Sequence, residues 1–265
     1  MMNRSHVTSG LAVGLVVGHL IGLTTVLAVT PFAVIVAGFA SFNDLDCCGS
    51  APTQMGGPVT RLMSRVLRAS SRCLYNHTRG PRDPAGTGEH RGMTHTWPFC
   101  LAFTVLLEGA VLLWGLWVTA AIVAFALLAV VDRLGPWLLI PVALSALAWY
   151  ATSVATHVPL AVVATHNTHW VACAAGLGCL THMLGDSPTL AGVPWAFPFM
   201  WRGQRWRAVK VPRWMRFRVG SAVEVRFVFP ALVAATVLAV PGVLPHLVAL
   251  AEHGGSGWTA TTASG

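Results

Sequence analysis

The sequence predicts an all-α fold, specifically a polytopic helical membrane protein, and three observations carry that prediction. Hydrophobic residues make up 55% of the 265 residues and charged residues only 10%. Uncharged runs such as Leu11 to Ala40 and Leu134 to Leu180 far exceed the roughly 18 residues that mark a membrane span. The basic residues are segregated, with seven Arg between Ser41 and Trp97 and seven Arg or Lys between Ser187 and Ser221, out of 17 in all. Loops 41–97 and 187–221 are therefore expected to be cytoplasmic, and the net charge of +8 reports topology and attraction to anionic lipid before it reports nucleic-acid binding. Residues 1–251 read as one integral-membrane domain, followed by a polar tail, 252–265, expected to be disordered. The opening Met1 to His6 is followed by an apolar run without an A-x-A-like cleavage site, so no removable signal peptide is expected.

The elements follow in order. The first apolar stretch is interrupted by Thr30-Pro31, residues suited to the N-cap and N1 positions of a second helix. The resulting N-terminal hairpin returns the chain to its starting side, where His6 can meet Asn43-Asp44-Leu45-Asp46. From Thr60 to Arg72 the arginines recur at intervals of four, three and four beside an apolar face, which predicts an amphipathic helix on the membrane surface. Asn76 to Glu89 is a linker that delivers His90 to His95 to the next span, whose first turn accommodates Pro98. If His95 and His182 share a side, an even number of crossings separates them; four are expected, with a turn near Trp114-Gly115-Leu116-Trp117 and a charged break at Asp132-Arg133. A last span covers roughly Phe227 to Leu250. The six cysteines lack the spacing of an extracellular framework and are expected to be free thiols.

Chemistry-bearing residues gather at four places: His6; Asp44 and Asp46; His90 and His95; His182 and Asp186. His182 and Asp186 lie four apart, on one face of a helix, at the end of an apolar segment. An Asp at membrane depth costs roughly 2.5 to 3.5 kcal/mol on insertion scales, so partners are expected. Imidazoles with carboxylates and no dense cysteine motif suit one or two divalent ions, zinc first and manganese or iron next. His6, Asp44, Asp46, His90, His95, His182 and Asp186 are the candidate ligands. Asp44 and Asp46 could both ligate, or one could orient a histidine from behind. His90 is expected in the preceding loop and His95 in the first helical turn. Asp44, Asp46 and Asp186 supply the general-base candidates, and Arg91 a permanent cation for a phosphate or carboxylate. Glu224 either supports a ligand or pairs with Arg226. His19, His157, His166, His169 and His246 read as packing or interfacial residues, and Glu108 as a structural residue within a span. In the second basic loop, Arg202, Arg205, Arg207, Lys210 and Arg213 alternate with aromatics, which suits an interfacial anchor on anionic lipid; binding of a single nucleic-acid strand is the lesser reading.

These elements resemble, in order, the LexA-regulated, predicted metal-dependent hydrolases of bacterial inner membranes (YdjM-like). The resemblance rests on His6, Asp44-x-Asp46, His90-Arg91-Gly92-x-Thr94-His95, and Gly178-Cys179-Leu180-Thr181-His182-x-x-x-Asp186. Thr189, Gly192-Val193-Pro194, Phe197-Pro198 and Gly220-Ser221-x-x-Glu224 extend it. It implies a multi-pass inner-membrane hydrolase with a link to the SOS response. Distant similarity to zinc-dependent phospholipases C and single-strand nucleases implies cleavage of a phosphoester, either a small molecule or a lipid, by metal-activated water. The family's Pro-Asp-x-Asp-His is Asn43-Asp44-Leu45-Asp46-Cys47 here, which leaves the Cys47 thiol beside the ligands where a histidine is usual, and the region between His95 and His182 is longer. A divalent-cation or proton transporter and a non-catalytic membrane scaffold are the rival classes.

Overall fold

The computed structural model describes residues 1–86, 88–158 and 169–249; the predicted tail and His166 lie outside them. Among the described residues the named elements are helical. Helices α1 (Asn3–Leu20) and α2 (Val26–Phe39) form the expected hairpin, but the turn falls earlier than Thr30-Pro31. Gly22 adopts φ 96° and Leu23 N–H donates to Gly18 O at 2.9 Å, closing α1. Thr25 then caps α2 by accepting from Ala28 N–H at 3.2 Å. Pro31 thus lies inside α2, where the missing N–H removes one helical hydrogen bond and the burial of α2 offsets that loss. The proline marked a second helix correctly; the local cap set its start.

The hairpin is packed through glycine. A Cβ on Gly10 would stand 2.7 Å from Ala37 Cα, and one on Gly14 would stand 2.5 Å from Ala33 Cα. The two backbones approach as small-residue stripes permit in membrane helices. Buried α2 is the centre of the structure, packing against α1, α6 (Leu116–Leu134), α7 (Leu139–Thr156) and α8 (His169–Asp186). Gly178 lets α8 come in, since a Cβ there would lie 2.5 Å from Val36 O.

Among the described residues, four helical segments are long and apolar enough to cross a membrane: Val26–Asp46, Trp97–Trp114, Leu116–Leu134 and Pro136–Thr156. The first is largely buried, whereas the others leave side chains such as Leu113 and Trp117 exposed. An apolar exterior of this kind matches lipid rather than water. Helix α5 (Trp97–Trp114) and α6 meet at Gly115, φ 48°, so the long apolar run turns where the sequence indicated. Thr96 caps α5 by accepting from Phe99 N–H, with Pro98 in the first turn. The last apolar segment is broken rather than continuous: a π-turn, Glu224–Val228, leads into α9 (Phe229–Ala239), and a bend of 85° separates it from Val243–Ala249. Pro241 and Gly242, the latter at φ 90°, sit at that break.

The two basic loops also have structure. α3 (Ala51–Met55) precedes α4 (Pro58–Thr78), which is longer than its predicted core. Beyond α4, Asp83 accepts from the N–H groups of Gly80, Arg205 and Trp206 at 2.7, 3.0 and 3.1 Å. Trp206 packs against Tyr75 and Phe197. The loops are thereby joined into one unit beside the helical core.

Candidate metal centre

The site begins where α2 ends. Residues Phe42–Asp46 form a 3₁₀ turn, fixed by Asn43, whose amide donates to Thr94 O at 2.8 Å and Cys179 O at 3.2 Å. One side chain thus joins three segments that sequence order separates. Met93–His95 forms a second 3₁₀ turn, so His95 precedes α5 instead of occupying its first turn; Thr96 takes the cap. His182 and Asp186 come from the end of α8, and His6 from the start of α1. Gly185 makes room, since a Cβ there would lie 3.3 Å from His6 Nδ1.

His6, His95, His182 and Asp186 are buried, while the Asp44 side chain is 18% exposed. His95 Nε2 lies 3.2 Å from His182 Nε2 and 3.6 Å from Asp186 Oδ2. His182 Nε2 lies 3.6 Å from Asp44 Oδ1 and 3.8 Å from Asp186 Oδ2. Ligands bonded at about 2.0 to 2.2 Å in a tetrahedral site stand about 3.3 to 3.6 Å apart, so these separations, 3.2 to 3.8 Å, are close to those of atoms able to share one ion. Two overlapping groups, Asp44, His95, His182 and His6, His182, Asp186, each have their ligand atoms within 4.8 Å of one another. The His6 ring stacks on His182, with centroids 3.7 Å apart. Its Nε2 lies 3.2 Å from Asp186 Oδ1, yet neither ring nitrogen makes a hydrogen bond. A fully buried imidazole with no such partner is costly and is the kind of donor a cation would satisfy.

Groups behind the cluster set the tautomers. His182 Nδ1 lies 2.7 Å from Ala40 O; a carbonyl only accepts, so Nδ1 carries the proton and Nε2 presents its lone pair inward. Asp46 does the same for His95, with Oδ2 3.1 Å from Nδ1. Burial lowers the His95 pKa, but the Asp46 and Asp186 carboxylates outweigh it and raise it to about 9. The proton at Nε2 is the one a cation would replace.

Asp46 is fully committed: it also accepts from His90 Nδ1 at 2.8 Å, from Arg91 N–H at 3.1 Å and from the Thr94 hydroxyl. It orients, and Asp44 faces the cluster, which divides the two roles the sequence left open. His90, whose side chain is 44% exposed, bonds to Asp46 and stands at the edge. Arg91, at φ 55°, bonds to Asp186 Oδ2 at 2.8 Å, Thr189 Oγ1 at 2.7 Å and Gly192 O at 3.1 Å. Its guanidinium ties α8 to the following loop. Asp186 also contacts the Met1 amino group. Glu224 accepts from Met2 N–H at 2.5 Å and Gly220 N–H at 2.8 Å, holding the start of α1 in place.

The chain belongs to the YdjM inner membrane protein family. That family matches residues 1–251, which places the chain in the inner membrane. No curated protein and no solved structure is significantly similar. In this YdjM-family chain the Cys47 thiol makes a long contact, 4.0 Å, to Cys48 O. Burial and then the Asp44 and Asp46 carboxylates push its thiol pKa up, so it stays a neutral neighbour of the cluster. All six cysteines are free.

The predicted anion-binding residues divide. Arg205 is committed to Thr78 O at 3.0 Å, Arg202 lies over Trp201, and Arg213 occupies a 3₁₀ turn. Arg207 and Lys210 line a groove of about 700 Å³ with Phe199 and Trp201, joined by Arg216, which the sequence reading passed over. Asn43 and Thr94 stand in the sequence motifs without a role there, and Gly185 and Asp83 do not figure among the expected site residues. Asn43 and Thr94 carried a signal in their place beside the two ligand motifs, whereas Asp83 carried none.

Proposed function

We propose that the chain is a membrane-bound, metal-dependent hydrolase whose site holds one or two divalent ions, zinc foremost, among Asp44, His95, His182, Asp186 and His6. The reaction it suits best is cleavage of a phosphoester at a cytoplasm-facing site. The observation that supports this reading is the spacing of four inward-facing ligand atoms around two histidines of fixed tautomer. When bound, such an ion polarises a phosphoryl oxygen and lowers the pKa of water.

The chain's residues then have separable tasks. His95 and His182 present Nε2, and Asp46 and Ala40 O hold them in that orientation. Asp186, fixed by Arg91, faces the same space. Asp44 reaches solvent and has a carboxylate oxygen to spare, so it is the group placed to take a proton from water. Arg91 is turned toward Asp186 and the 189–192 loop, so it positions and leaves the substrate's anion to other cations. Confinement of the cluster to the ends of α1, α2 and α8 and to the turn before α5 supports a reaction site over a conduit, and His157, the C-cap of α7, is exposed rather than part of a buried polar path.

The test is hydrolysis of bis(p-nitrophenyl) phosphate by the detergent-purified protein, before chelation, after it, and after zinc or manganese is restored. The expected result is turnover that disappears and returns with the metal and falls about a hundredfold or more in Asp44→Asn. Equal rates in chelated and restored samples would contradict the reading.

A further inference from the structure

Helix α4 separates two grooves of opposite character. On one side Arg61, Arg65 and Arg68 line a groove of about 490 Å³ together with Gln54 and Gly57. The spacing of four and three residues puts the arginines on one stripe. Glu89 pairs with Arg68 at 3.5 Å and with Arg72; Arg61 and Arg65 have no acidic partner among the described residues. In the same groove the Ser64 hydroxyl is 1% exposed and has no hydrogen-bond partner, and Arg68 Nε is likewise buried without one. Converging cations and an unsatisfied buried hydroxyl call for an anion that accepts several hydrogen bonds, as a phosphate does.

On the other side of α4 an apolar groove of about 780 Å³ runs between Met63 and the α5–α6 pair, walled by Phe42, Phe103, Trp117 and Phe125. Adjacent residues, Gly56 and Gly57, line one groove each, so the two meet at the N-terminal turn of α4. Phe42 belongs to the same 3₁₀ turn as Asp44. A polar cationic groove and an apolar one, meeting beside a candidate reaction centre in a membrane chain, fit an anionic amphiphile.

We propose that the two grooves form one site for an anionic glycerophospholipid, with its phosphate held by Arg61, Arg65 and Arg68 and an acyl chain against Phe42, Phe103 and Trp117. Binding stands on the grooves alone; naming this lipid as the substrate class rests on the hydrolase reading above.

The test is native mass spectrometry of the full chain released from detergent containing equal amounts of phosphatidylglycerol and phosphatidylcholine. The expected result is one phosphatidylglycerol retained per chain, about tenfold over phosphatidylcholine, since each interfacial cation favours anionic lipid. Arg61→Gln with Arg65→Gln should abolish the preference, the corresponding Lys pair should keep it, and Met63→Trp, which fills the apolar groove, should lower retention. Equal retention of both lipids by the wild type, or a preference that survives the Gln pair, would overturn the proposal. Displacement of the lipid by millimolar inorganic phosphate would identify a free-phosphate site and also overturn it. Metal content measured on the same samples tests the hydrolase reading separately.

Discussion

Asp46 Oδ2 and His95 Nδ1 lie 3.1 Å apart, and this contact decides which nitrogen of the imidazole faces His182. The same carboxylate reaches His90 through its other oxygen at 2.8 Å. A residue that touches no ion thus sets the geometry of one that would. In Asp46→Asn the side-chain amide can no longer accept from every donor around it, so zinc affinity should fall about 10- to 100-fold with the fold intact. Competition titration against a chelator of known affinity measures this; unchanged affinity would remove Asp46 from the account.

The α1–α2 hairpin makes a stability prediction. Leu at Gly14 must displace backbone that already lies 2.5 Å from a Cβ position, so Gly14→Leu should destabilise by at least about 1 to 3 kcal/mol and carry His6 away from the cluster. Thermal unfolding in detergent, with metal content measured on the same sample, should show both losses together.

Arg91 is predicted to act through position. Lys cannot reproduce three bonds to Asp186, Thr189 and Gly192, because its ammonium is a point donor and not a planar fork. Arg91→Lys should raise amide exchange in residues 189–193 while α8 keeps its protection, as read by hydrogen–deuterium exchange. Uniform exchange across both variants would contradict the assignment.

Asp83 joins the two basic loops through three backbone N–H groups. Bonds to a charged acceptor contribute about 1.5 to 3 kcal/mol each when broken, so Asp83→Ala should free residues 79–86 and 201–206 to proteolysis. Metal content should be unchanged, which separates this unit from the cluster.

Much of this arrangement was legible from residues alone, and the reasons are physical. Apolar run length fixes spans, and His182 with Asp186 fixes a helical face; the hairpin was needed to bring His6 to Asp44. Gly115 was legible because an interrupted run of this length needs a turn. The start of α2 was not, because Thr25 and Gly22 formed a closing pair that outweighed the proline at position 31. The division between Asp44 and Asp46 was not legible either: two carboxylates in one short turn point in directions that only packing decides. Likewise Arg91 and Arg205 read as free cations, and their commitment to Asp186 and Thr78 arises from segments far apart in sequence.

Elemental analysis of the purified chain decides whether Asp44, His95, His182, Asp186 and His6 hold a metal. Wild type, freed of tag-derived metal and resupplied with zinc, should carry about one to two ions per chain. His182→Ala with Asp186→Ala should carry none while still running as a folded species in detergent. A folded wild type that takes up no zinc, manganese or iron would contradict the account.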